Sequence, residues 1–582
     1  MSDSNTQNFT SFSLTDFFSK NSVGKLGICA WYDLDTQTLS ISRDVFGLIP
    51  LHYFRLSDEI IAFSTDLVSL IRNPQLRDHV GINEERIAAY GSWLKEPSTP
   101  YICDTFYKGI QSVSPGHIVT LSFEGVTTAP YSVFRPSKWS HLTNVEEFGE
   151  EFRKLFLNSV NGHLNDDSQI LASHLSGGMD SSSVSAAIRF LRPDKPLQTL
   201  YNISNTLDTD ENLYAISVAE KIGSYHHEIL QSEDDFGLLS SFIGIAGQPL
   251  ATLVSPSGAA SLMHFAKDLG CTKIFNGSGG DSIVGSGLEM MVKAFDNGQW
   301  ELVESLVRKR VSFYAKSYKY ANWDKYTAQR KYSIILHNLL FHRLATLAVQ
   351  GKVKDAFGLI ARFSANFKVS YSYLIDKVGK SLISKARKGN IIPTASILRS
   401  DLLRSFPNYN ELNVYGLLES NSGAEQQQSM DDIFNTQTIL SNEQTFSISK
   451  YYNMTNSSPF YNKELFELCL AAPDLLKYGD GIGRAHFREA MTGLLPESVR
   501  RRSTKTPVRS MGPLIALRMY SQAKSLIMDS SEIWNYVDKG KFAEQLAILQ
   551  NDRIPYEQKN VSVFLVCRTI SLVTWLEWYK NR

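Results

Sequence analysis

Residues 170–184, ILASHLSGGMDSSSV, decide the fold of this chain. The apolar run that ends at Leu175 predicts a buried strand, and residues 182–191 predict a helix. Between the two lies the loop 176–181, SGGMDS. Glycine N–H groups, hydroxyls and the free N–H groups at the start of a helix together form a cradle for phosphate.

One residue of this loop indicates which kind of phosphate site it is. A P-loop nucleotide site needs a lysine, and this loop contains Asp180 instead. A carboxylate repels phosphate unless a divalent cation lies between them. The loop therefore predicts a site for pyrophosphate with Mg²⁺. The alternative, a plain Ser/Gly-rich turn between core elements, is disfavoured by the whole hexapeptide in its context.

Length and composition bound the class of protein. The chain has 582 residues, of which 43% are hydrophobic and 20% charged, a balance typical of globular proteins with two or more domains. The formal net charge is +0, so we expect no nucleic-acid partner. The five cysteines form no CxxC pair and the first residues show no signal peptide, which predicts free thiols and a cytoplasmic protein.

The last part of the chain contains an apolar stretch long enough to raise the question of a membrane. Residues 561–579 are strongly apolar, but Arg568 and Glu577 interrupt them. We therefore predict a buried terminal helix rather than a membrane span, and no membrane partner.

Two regions of different pattern predict two domains, residues 1–134 and 135–582. The first is rich in short strand-like runs separated by turns. These predicted strands are 26–32, 38–42, 51–55, 60–64 and 117–123. A connection containing Pro and Ser, residues 134–141, leads into an amphipathic helix over 145–164 and marks the boundary.

The second region begins with alternating strands and helices, which predicts a parallel sheet with helices on both faces. Strands are predicted at 170–175, 197–204, 226–230 and 273–276, and helices at 210–221 and 256–269. Ligands bind such sheets at the carboxyl ends of the strands. The first and fourth strands both end there in a glycine-rich loop that carries an aspartate, Asp180 and Asp281. Two carboxylates from separate loops predict Mg²⁺ held over a triphosphate.

The pattern changes again after the second glycine-rich loop. Residues 289–449 predict a long helical insertion without repeats, in which the polar stretch 425–428 predicts a loop. Four aromatic side chains in this insertion are candidates for contact with a substrate, and packing among helices is the alternative for each. They are Tyr314, Tyr318, Tyr320 and Trp323. His174, inside the first predicted strand, is interpreted as a core histidine rather than a ligand.

Together these features resemble the asparagine synthetase superfamily of N-type ATP pyrophosphatases over nearly the whole chain. The synthetase markers are the segments 176–181, 210–211, 277–281, 488–490 and 502–505. The first region is similar to the second half of a class II glutamine amidotransferase domain, with 43–47 and 115–117 as markers. The resemblance implies an α/β fold. A parallel-sheet ATP-pyrophosphatase domain of the adenine nucleotide alpha hydrolase-like type, carrying the helical insertion, follows a truncated, β-rich amidotransferase-like domain.

The resemblance also implies residue roles. Lys505 would neutralise charge on the α-phosphate and on the tetrahedral intermediate. The alternative is that it belongs to a solvated basic cluster with residues 500–502. Asp180 and Asp281 would hold Mg²⁺. ATP and pyrophosphate would be bound by the two loops and one further strand end, through Leu175, Ser176, Gly177, Gly178, Asp180, Ser181, Ser204, Gly277, Gly279 and Gly280.

Three departures from the family pattern narrow the expected function. Position 2 is Ser2 rather than the cysteine that glutaminase activity needs, and the glutamine-holding segment is missing ahead of Leu26, so we expect a structural role for that domain. Ser278 stands where the family has a glutamate that acts as general base, and a serine hydroxyl cannot accept a proton unaided near neutral pH. Around the Pro-Phe pair at 459–460, acidic and arginine residues are replaced by Thr455, Ser457 and Asn462.

Within the superfamily, an intact ATP site without glutaminase activity looks like the pattern of β-lactam synthetases and lasso-peptide macrolactam cyclases. The long insertion of this chain is more similar to that of the cyclases. In the implied reaction an Asp or Glu side chain of a precursor peptide attacks the α-phosphorus of Mg·ATP. The resulting acyl-adenylate is then attacked by the peptide's own N-terminal amine. An α-amino group has a pKa near 8, so about a tenth of it is neutral at pH 7 and little base is needed. A leader peptidase or leader-recognition protein is a further expected partner.

Two other functions stay open. An ammonia-dependent, asparagine synthetase-like enzyme would amidate a small carboxylic acid, and a non-catalytic scaffold would keep only the fold. Retention of both Asp180 and Asp281 argues against the scaffold, because buried paired carboxylates are costly without a cation. A short reading frame beside the gene, encoding a peptide with an Asp or Glu a few residues into its core, would favour the cyclase.

Overall fold

The computed structural model of the protein describes residues 27–56, 61–92, 99–164, 170–203, 211–250, 255–313, 323–378, 396–404, 411–502 and 511–582. An N-terminal region with antiparallel sheets precedes an α/β region with a parallel sheet and many helices. The predicted fold class is confirmed.

The N-terminal region contains two antiparallel sheets. Their strands are β1 (Cys29–Asp33), β2 (Thr38–Ser42), β3 (His52–Arg55), β4 (Ile61–Ser64), β5 (Ile110–Ser112), β6 (His117–Ser122) and β7 (Gly125–Pro130). The strand orders are β1-β2-β6-β7 and β4-β3-β5. Burial alternates along β6, so that Val119 and Leu121 face a small core with Ile41 and Leu51. The five predicted strands are confirmed to within a few residues. The short β5 and the almost wholly exposed β7 were missed because neither carries an apolar alternation.

The α/β region is built on a five-stranded sheet in the order β10-β9-β8-β11-β12. Its strands are β8 (Leu171–His174), β9 (Leu197–Ile203), β10 (Tyr225–Leu230), β11 (Lys273–Phe275) and β12 (Thr455–Ser457). All four pairings are parallel. The four predicted strands are confirmed, and β12 is an addition that the sequence did not reveal, since its three residues include no apolar one. The last residue of β8, His174, is half-buried, and desolvation lowers its pKa to about 4, as expected of a core histidine.

Helices cover the sheet and connect its strands. Those before and between the strands are Val145–His163, Met179–Leu191, Glu211–Ile222, Asp235–Ala246, Pro256–Asp268 and Gly280–Val284. Those after β12 are Lys463–Ala471, Asp474–Tyr478, Ala485–Ala490, Glu497–Arg500, Gly512–Asp529, Ile533–Tyr536, Lys539–Gln550 and Tyr556–Lys580. Two short helices, Leu67–Ile71 and Glu84–Tyr90, belong to the N-terminal region. Side-chain caps define several starts, such as Asn144, which accepts a hydrogen bond from the Glu147 N–H at 2.9 Å.

The insertion between β11 and β12 is helical, as predicted. Its helices are Met290–Asp296, Trp300–Phe313, Ala328–Val349, Val353–Phe367, Ser400–Arg404, Ala424–Ile433 and Thr436–Tyr451. Many of them share a core of their own that includes Phe295, Leu340 and Phe363. The predicted loop at 425–428 is wrong, because these residues lie within the helix Ala424–Ile433. Their polarity reflects an exposed helix face, which a polar run cannot distinguish from a loop. Trp323 is buried, so packing is its role, and residues 314–322 lie outside the described part of the chain.

The C-terminal helix Tyr556–Lys580 is buried, as predicted. Its segment Gln558–Lys580 is long and apolar enough to cross a membrane by length and composition, but 78% of the tested window is buried inside the protein. Trp575 is fully buried, and its indole N–H donates to the Tyr107 hydroxyl at 2.9 Å. The apolar character of this helix is therefore explained by packing against the helices Gly512–Asp529, Lys539–Gln550 and Asp235–Ala246, with further contacts to the N-terminal region.

A buried ion pair joins the N-terminal region to the helix Thr436–Tyr451, hereafter the cleft helix. Arg43 Nη2 lies 2.8 Å from Glu443 Oε1, and both side chains are almost completely buried. The Tyr101 hydroxyl donates to the same oxygen at 2.7 Å. Aromatic rings continue the interface, since Phe134 packs edge-on against Phe466 at 5.0 Å. The boundary at 134/135 stays a prediction, but the two regions share one core.

Removing one member of this pair tests how firmly the two regions are joined. We expect Glu443→Ala to lower the free energy of unfolding by about 3–5 kcal/mol, because it leaves the Arg43 charge buried without its partner. The matched control is Glu464→Ala, which breaks the exposed pair with Lys138 at 2.7 Å and should cost about 0–1 kcal/mol. Equal losses in urea denaturation would contradict a buried, uncompensated charge at Arg43.

Two fully buried histidines make the fold sensitive to acid. Burial lowers the pKa of His52 to about 4 and that of His486 to about 3. In the unfolded chain both take up protons near pH 6.5, so the unfolded state binds more protons than the folded state as the pH falls below this value. We expect the thermal midpoint to drop between pH 7 and pH 5.5. His486→Gln should flatten this slope, while the exposed His264→Gln should not. A midpoint that stays constant over this range would contradict the prediction.

Candidate active site

The loop after β8 is closed by hydrogen bonds among its own hydroxyls. The Leu175 N–H donates to the Leu200 carbonyl at 2.9 Å, which ends the strand, and the helix then begins at Met179. The Ser176 N–H donates to Ser181 Oγ at 3.1 Å, and the two hydroxyls lie 2.9 Å apart. The helix starts three residues earlier than predicted, so Asp180 and Ser181 lie in its first turn. Both residues therefore lie where the first backbone N–H groups of the helix have no partner within the helix.

Gly177 is at a position that admits only glycine. Its φ is +72°, and a Cβ there would lie 2.6 Å from the Glu211 carbonyl oxygen and 2.7 Å from the Ala215 nitrogen. The helix Glu211–Ile222 thus packs directly against the loop. Because nothing larger than hydrogen fits, this close packing of the loop against the helix requires glycine.

The two glycine-rich loops are in direct contact. A Cβ on Gly277 would lie 2.6 Å from the Ser181 nitrogen, and one on Gly280 would lie 2.5 Å from Asp180 Cγ. Gly279, with a φ of +84°, lies against the Tyr461 ring. The predicted meeting of the loops at one edge of the sheet is confirmed, whereas the roles of their residues stay predictions.

Arg484 joins the two aspartates, and the sequence analysis missed it. Its Nη1 lies 2.6 Å from Asp180 Oδ1, and its Nη2 contacts Asp281 Oδ1. Arg484 lies 304 residues from Asp180 in the chain. A signal was present, since the residue ends the Gly-Ile-Gly-Arg run 481–484 just ahead of the marker 488–490.

The two carboxylates suit Mg²⁺. They converge closely enough to share one guanidinium group, which places their oxygens within reach of a common cation. In the described part of the chain no group of three or more His, Cys, Asp or Glu side chains forms a metal cluster. Mg²⁺ is usually held by one or two carboxylates together with substrate phosphates and water. The donor set therefore fits this ion in the presence of a nucleotide.

Arg502 connects the loop 176–181 to the helix Glu211–Ile222. Its Nη2 lies 3.0 Å from Glu211 Oε1, its Nη1 donates to the Gly177 carbonyl at 3.4 Å, and its guanidinium lies over the Tyr214 ring. The side chain is buried, so this member of the basic cluster is not a solvated surface charge. Lys505 and Ser204 lie outside the described residues.

A cleft of about 890 Å³ opens beside the second glycine-rich loop. Ser278 and Gly279 line one end, and the N-terminal region contributes Leu48 and Ile49. The Ser278 N–H donates to Asn276 Oδ1 at 2.7 Å. Amides and hydroxyls dominate the remaining lining, which includes Asn435, Gln437, Thr438, Ser441, Asn442, Thr445, Asn453, Asn456, Ser458 and Tyr461. Among the described residues that line the cleft, Lys450 carries the one charge.

The three residues that depart from the family pattern around 459–460 have different roles. Thr455 lines the cleft, together with the neighbouring Asn456 and Ser458. Ser457 is buried in β12, and Asn462 caps the helix Lys463–Ala471 by accepting from the Leu465 N–H at 3.0 Å. The expected change of the substrate site therefore rests on Thr455 and its neighbours, whereas Asn462 serves the fold. The cleft helix, which is the last helix of the insertion, forms one wall of the cleft.

The fold and the two acidic glycine-rich loops define an α/β protein with a candidate nucleotide site at one edge of its parallel sheet. The family described as asparagine synthase matches residues 151–577, and the family described as glutamine amidotransferase domain matches residues 20–132. The first match covers more than half of the chain, so this protein belongs to the asparagine synthase family. Homologues in this family are ATP-dependent carbon–nitrogen ligases.

Curated relatives show the same kinship at low identity. Asparagine synthetase [glutamine-hydrolyzing] 2 of Bacillus subtilis is 26% identical over 222 residues, which is 37% of this chain and 28% of that protein. Amidase chyE of Penicillium rubens is 28% identical over 207 residues, which is 34% of this chain and 28% of that protein. Asparagine synthetase [glutamine-hydrolyzing] of Pongo abelii is 27% identical over 282 residues, 44% of this chain and 45% of that protein. The chain thus spans less than half of each of these relatives.

Proposed function

We propose that this protein forms an amide bond at the expense of ATP, releasing AMP and pyrophosphate, and that the bond closes a macrolactam within a peptide. The observation that carries the proposal is the cleft of about 890 Å³ beside Ser278 and the Asp281 loop. Its volume is in the range of pockets that hold drug-sized ligands, far more than one small amino acid needs. We place the reaction in the cytoplasm, where ATP is available.

The lining of the cleft favours a peptide over a free amino acid. An amino acid such as aspartate needs an anion for its ammonium group and cations for its carboxylates. Among the described lining residues there is no carboxylate, and Lys450 is the one cation. Amides and hydroxyls instead match the donors and acceptors of a peptide backbone, which are neutral and repeat along the chain. The cleft therefore suits a peptide segment whose charges have been removed or lie elsewhere.

In this proposal the two glycine-rich loops bind the nucleotide. Ser176, Gly177, Gly178 and Ser181 hold the pyrophosphate part through N–H and hydroxyl groups, and Asp180 and Asp281 hold Mg²⁺. The bound ion would neutralise phosphate charge as pyrophosphate leaves. Leu175, Ser204, Gly277, Gly279 and Gly280 surround the rest of the nucleotide.

The second half of the reaction needs orientation more than a strong base. The peptide amine attacks the acyl carbon, the carbon–oxygen bond to AMP breaks, and the amine loses one proton. Ser278 has no acidic or basic partner among its described contacts, and it orients the acyl group through its hydroxyl in this proposal. A cleft that holds both ends of one peptide raises their effective concentration, which supplies much of the acceleration.

A second candidate is ammonia-dependent amidation of a small acid, which the names of the curated relatives favour. Mass spectrometry distinguishes the two. The protein is incubated with Mg·ATP and either aspartate with ammonia or a leaderless core peptide encoded beside its gene. Loss of one water from the peptide with one AMP per product supports cyclisation. Asparagine formation with every peptide left unchanged refutes it.

Lys505 provides a further test of the chemistry. We expect Lys505→Ala to stop product formation far more than it weakens ATP binding, by roughly 10²-fold or more in turnover, because its charge is needed mainly in the transition state. The exposed Arg501→Ala is the matched control from the same basic segment. Parallel losses of binding and turnover in Lys505→Ala would assign this lysine to ground-state binding instead.

A further inference from the structure

The guanidinium of Arg484 occupies the space between the two carboxylates assigned to the metal. Its two terminal nitrogens each contact a different aspartate, Asp180 in the first turn of the helix Met179–Leu191 and Asp281 in the first turn of Gly280–Val284. The side chain of Arg484 is 11% exposed. A cation from a third segment of the chain therefore neutralises both acids in the protein without nucleotide.

The backbone around Arg484 is fixed so that the side chain points at these acids. Its φ is +56°, in the left-handed region that non-glycine residues rarely adopt. The Arg484 N–H donates to the Ser286 carbonyl at 3.0 Å, and Arg488 Nε donates to the Gly483 carbonyl at 2.9 Å. Arg310 Nη1 holds the Gly481 carbonyl at 2.6 Å. Three separate contacts thus maintain an unfavourable backbone conformation, which points to a requirement for the side chain at this place.

A divalent cation and the guanidinium compete for the same oxygens. Mg²⁺ requires a nearly octahedral set of oxygens about 2.0–2.1 Å away, and a carboxylate oxygen so engaged has little capacity left for Arg484. A displaced guanidinium needs another anion, and the adjacent loop cradles phosphate. The planar fork of arginine matches phosphate oxygens well.

We propose that Arg484 is a nucleotide-binding residue that exchanges partners when the nucleotide binds. It pairs with Asp180 and Asp281 in the nucleotide-free enzyme and with a phosphate of ATP once the metal and nucleotide are bound. The proposal rests on the proposed function in taking ATP as the nucleotide. It has two opposite consequences: Arg484 weakens binding of a free divalent ion, and it strengthens binding of the nucleotide.

The experiment measures both affinities on the full-length protein without peptide. Mn²⁺ binding is followed by electron paramagnetic resonance in the absence of nucleotide, and binding of a non-hydrolysable ATP analogue by calorimetry at saturating Mg²⁺. We expect Arg484→Gln to bind Mn²⁺ roughly tenfold more tightly and the analogue roughly tenfold more weakly. Arg484→Lys, which keeps the charge without the fork, should lie between. Arg501→Gln, exposed on a nearby segment, should change neither affinity.

Opposite changes are the signature that a merely structural role would not produce. If both affinities fall together in Arg484→Gln and Arg484→Lys, or if neither changes, the exchange is refuted while nucleotide binding by the parent protein still stands. If the parent protein binds no ATP analogue at any Mg²⁺ concentration, the exchange and the proposed function fail together. Thermal melting of each variant accompanies the titrations, and Arg484→Lys serves as the test variant should the glutamine variant not fold.

Discussion

Asp180→Asn should reduce the exchange of labelled pyrophosphate into ATP by roughly 10³-fold or more. The substitution keeps the size and the hydrogen bonds of the side chain but removes its charge. Asp180 lies in the first turn of the helix after β8, where its carboxylate meets Gly280 and the Arg484 guanidinium. A neutral amide there cannot offset the charge of Mg²⁺, and the nucleotide would lose the ion that allows it to bind beside an acid.

The exchange assay contains the candidate core peptide, Mg·ATP and ³²P-pyrophosphate. Ser183→Ala is the matched control on the same helix, since its hydroxyl donates to the Met179 carbonyl at 2.7 Å within the helix. We expect this control to keep exchange within a few-fold of the parent. If Asp180→Asn exchanges pyrophosphate as fast as the parent protein, the assignment of the metal site is wrong.

Gly277→Ala should cause the second large loss, a reduction of roughly 10²-fold in the rate of pyrophosphate exchange. We expect only a small change in the melting temperature of the variant. The added Cβ would lie 2.6 Å from the Ser181 nitrogen and 2.8 Å from the Asp180 carbonyl carbon. These are backbone atoms, which cannot turn away, so the two loops must separate by several tenths of an ångström or more. A displacement approaching 1 Å between reacting groups costs about 10²-fold in rate.

Gly162→Ala is the control for this substitution. Gly162 lies near the end of the helix Val145–His163, and a Cβ there meets nothing within 4 Å. We expect full exchange and equal or slightly higher stability, since alanine favours helix over glycine. Full exchange by Gly277→Ala, with a melting temperature equal to that of the parent, would show that the contact between the loops is not needed for chemistry.

The sequence was most informative where the signal is local. β8 and β11 belong to short apolar runs, and the two acidic glycine-rich loops directly follow these runs. Because parallel strands end at one edge of the sheet, the meeting of Asp180 with Asp281 follows from the pattern alone. The structure places these loops in direct contact.

The rest of the site depends on contacts between distant segments. Arg484 and Arg502 contact the residues 177–180 although they are 304 and 325 positions away in the sequence. No hydrophobic periodicity around either arginine indicates where its side chain lies. The lining of the cleft is equally invisible, since Asn and Ser residues of the cleft helix look like any polar helix face. β12 pairs with β11 although its sequence is Thr-Asn-Ser, because tertiary pairing overrides a low strand preference.

The N-terminal region has a structural part in this account. Its Leu48 and Ile49 line the cleft, and its Arg43 forms a buried ion pair with Glu443 of the cleft helix. The region therefore shapes the place where substrate would bind, whether or not it acts on glutamine. Loss of the Arg43–Glu443 pair should consequently disturb the cleft as well as stability.

Transfer of ¹⁸O tests the central claim, acyl-adenylate formation before amide closure, most directly. The candidate core peptide is prepared with ¹⁸O in its Asp or Glu carboxylate and incubated with the protein and Mg·ATP. We predict that each cyclised peptide, lighter by one water, is accompanied by one AMP that carries one ¹⁸O atom. Unlabelled AMP, or label found in inorganic phosphate alongside ADP, would contradict attack of the carboxylate on the α-phosphorus.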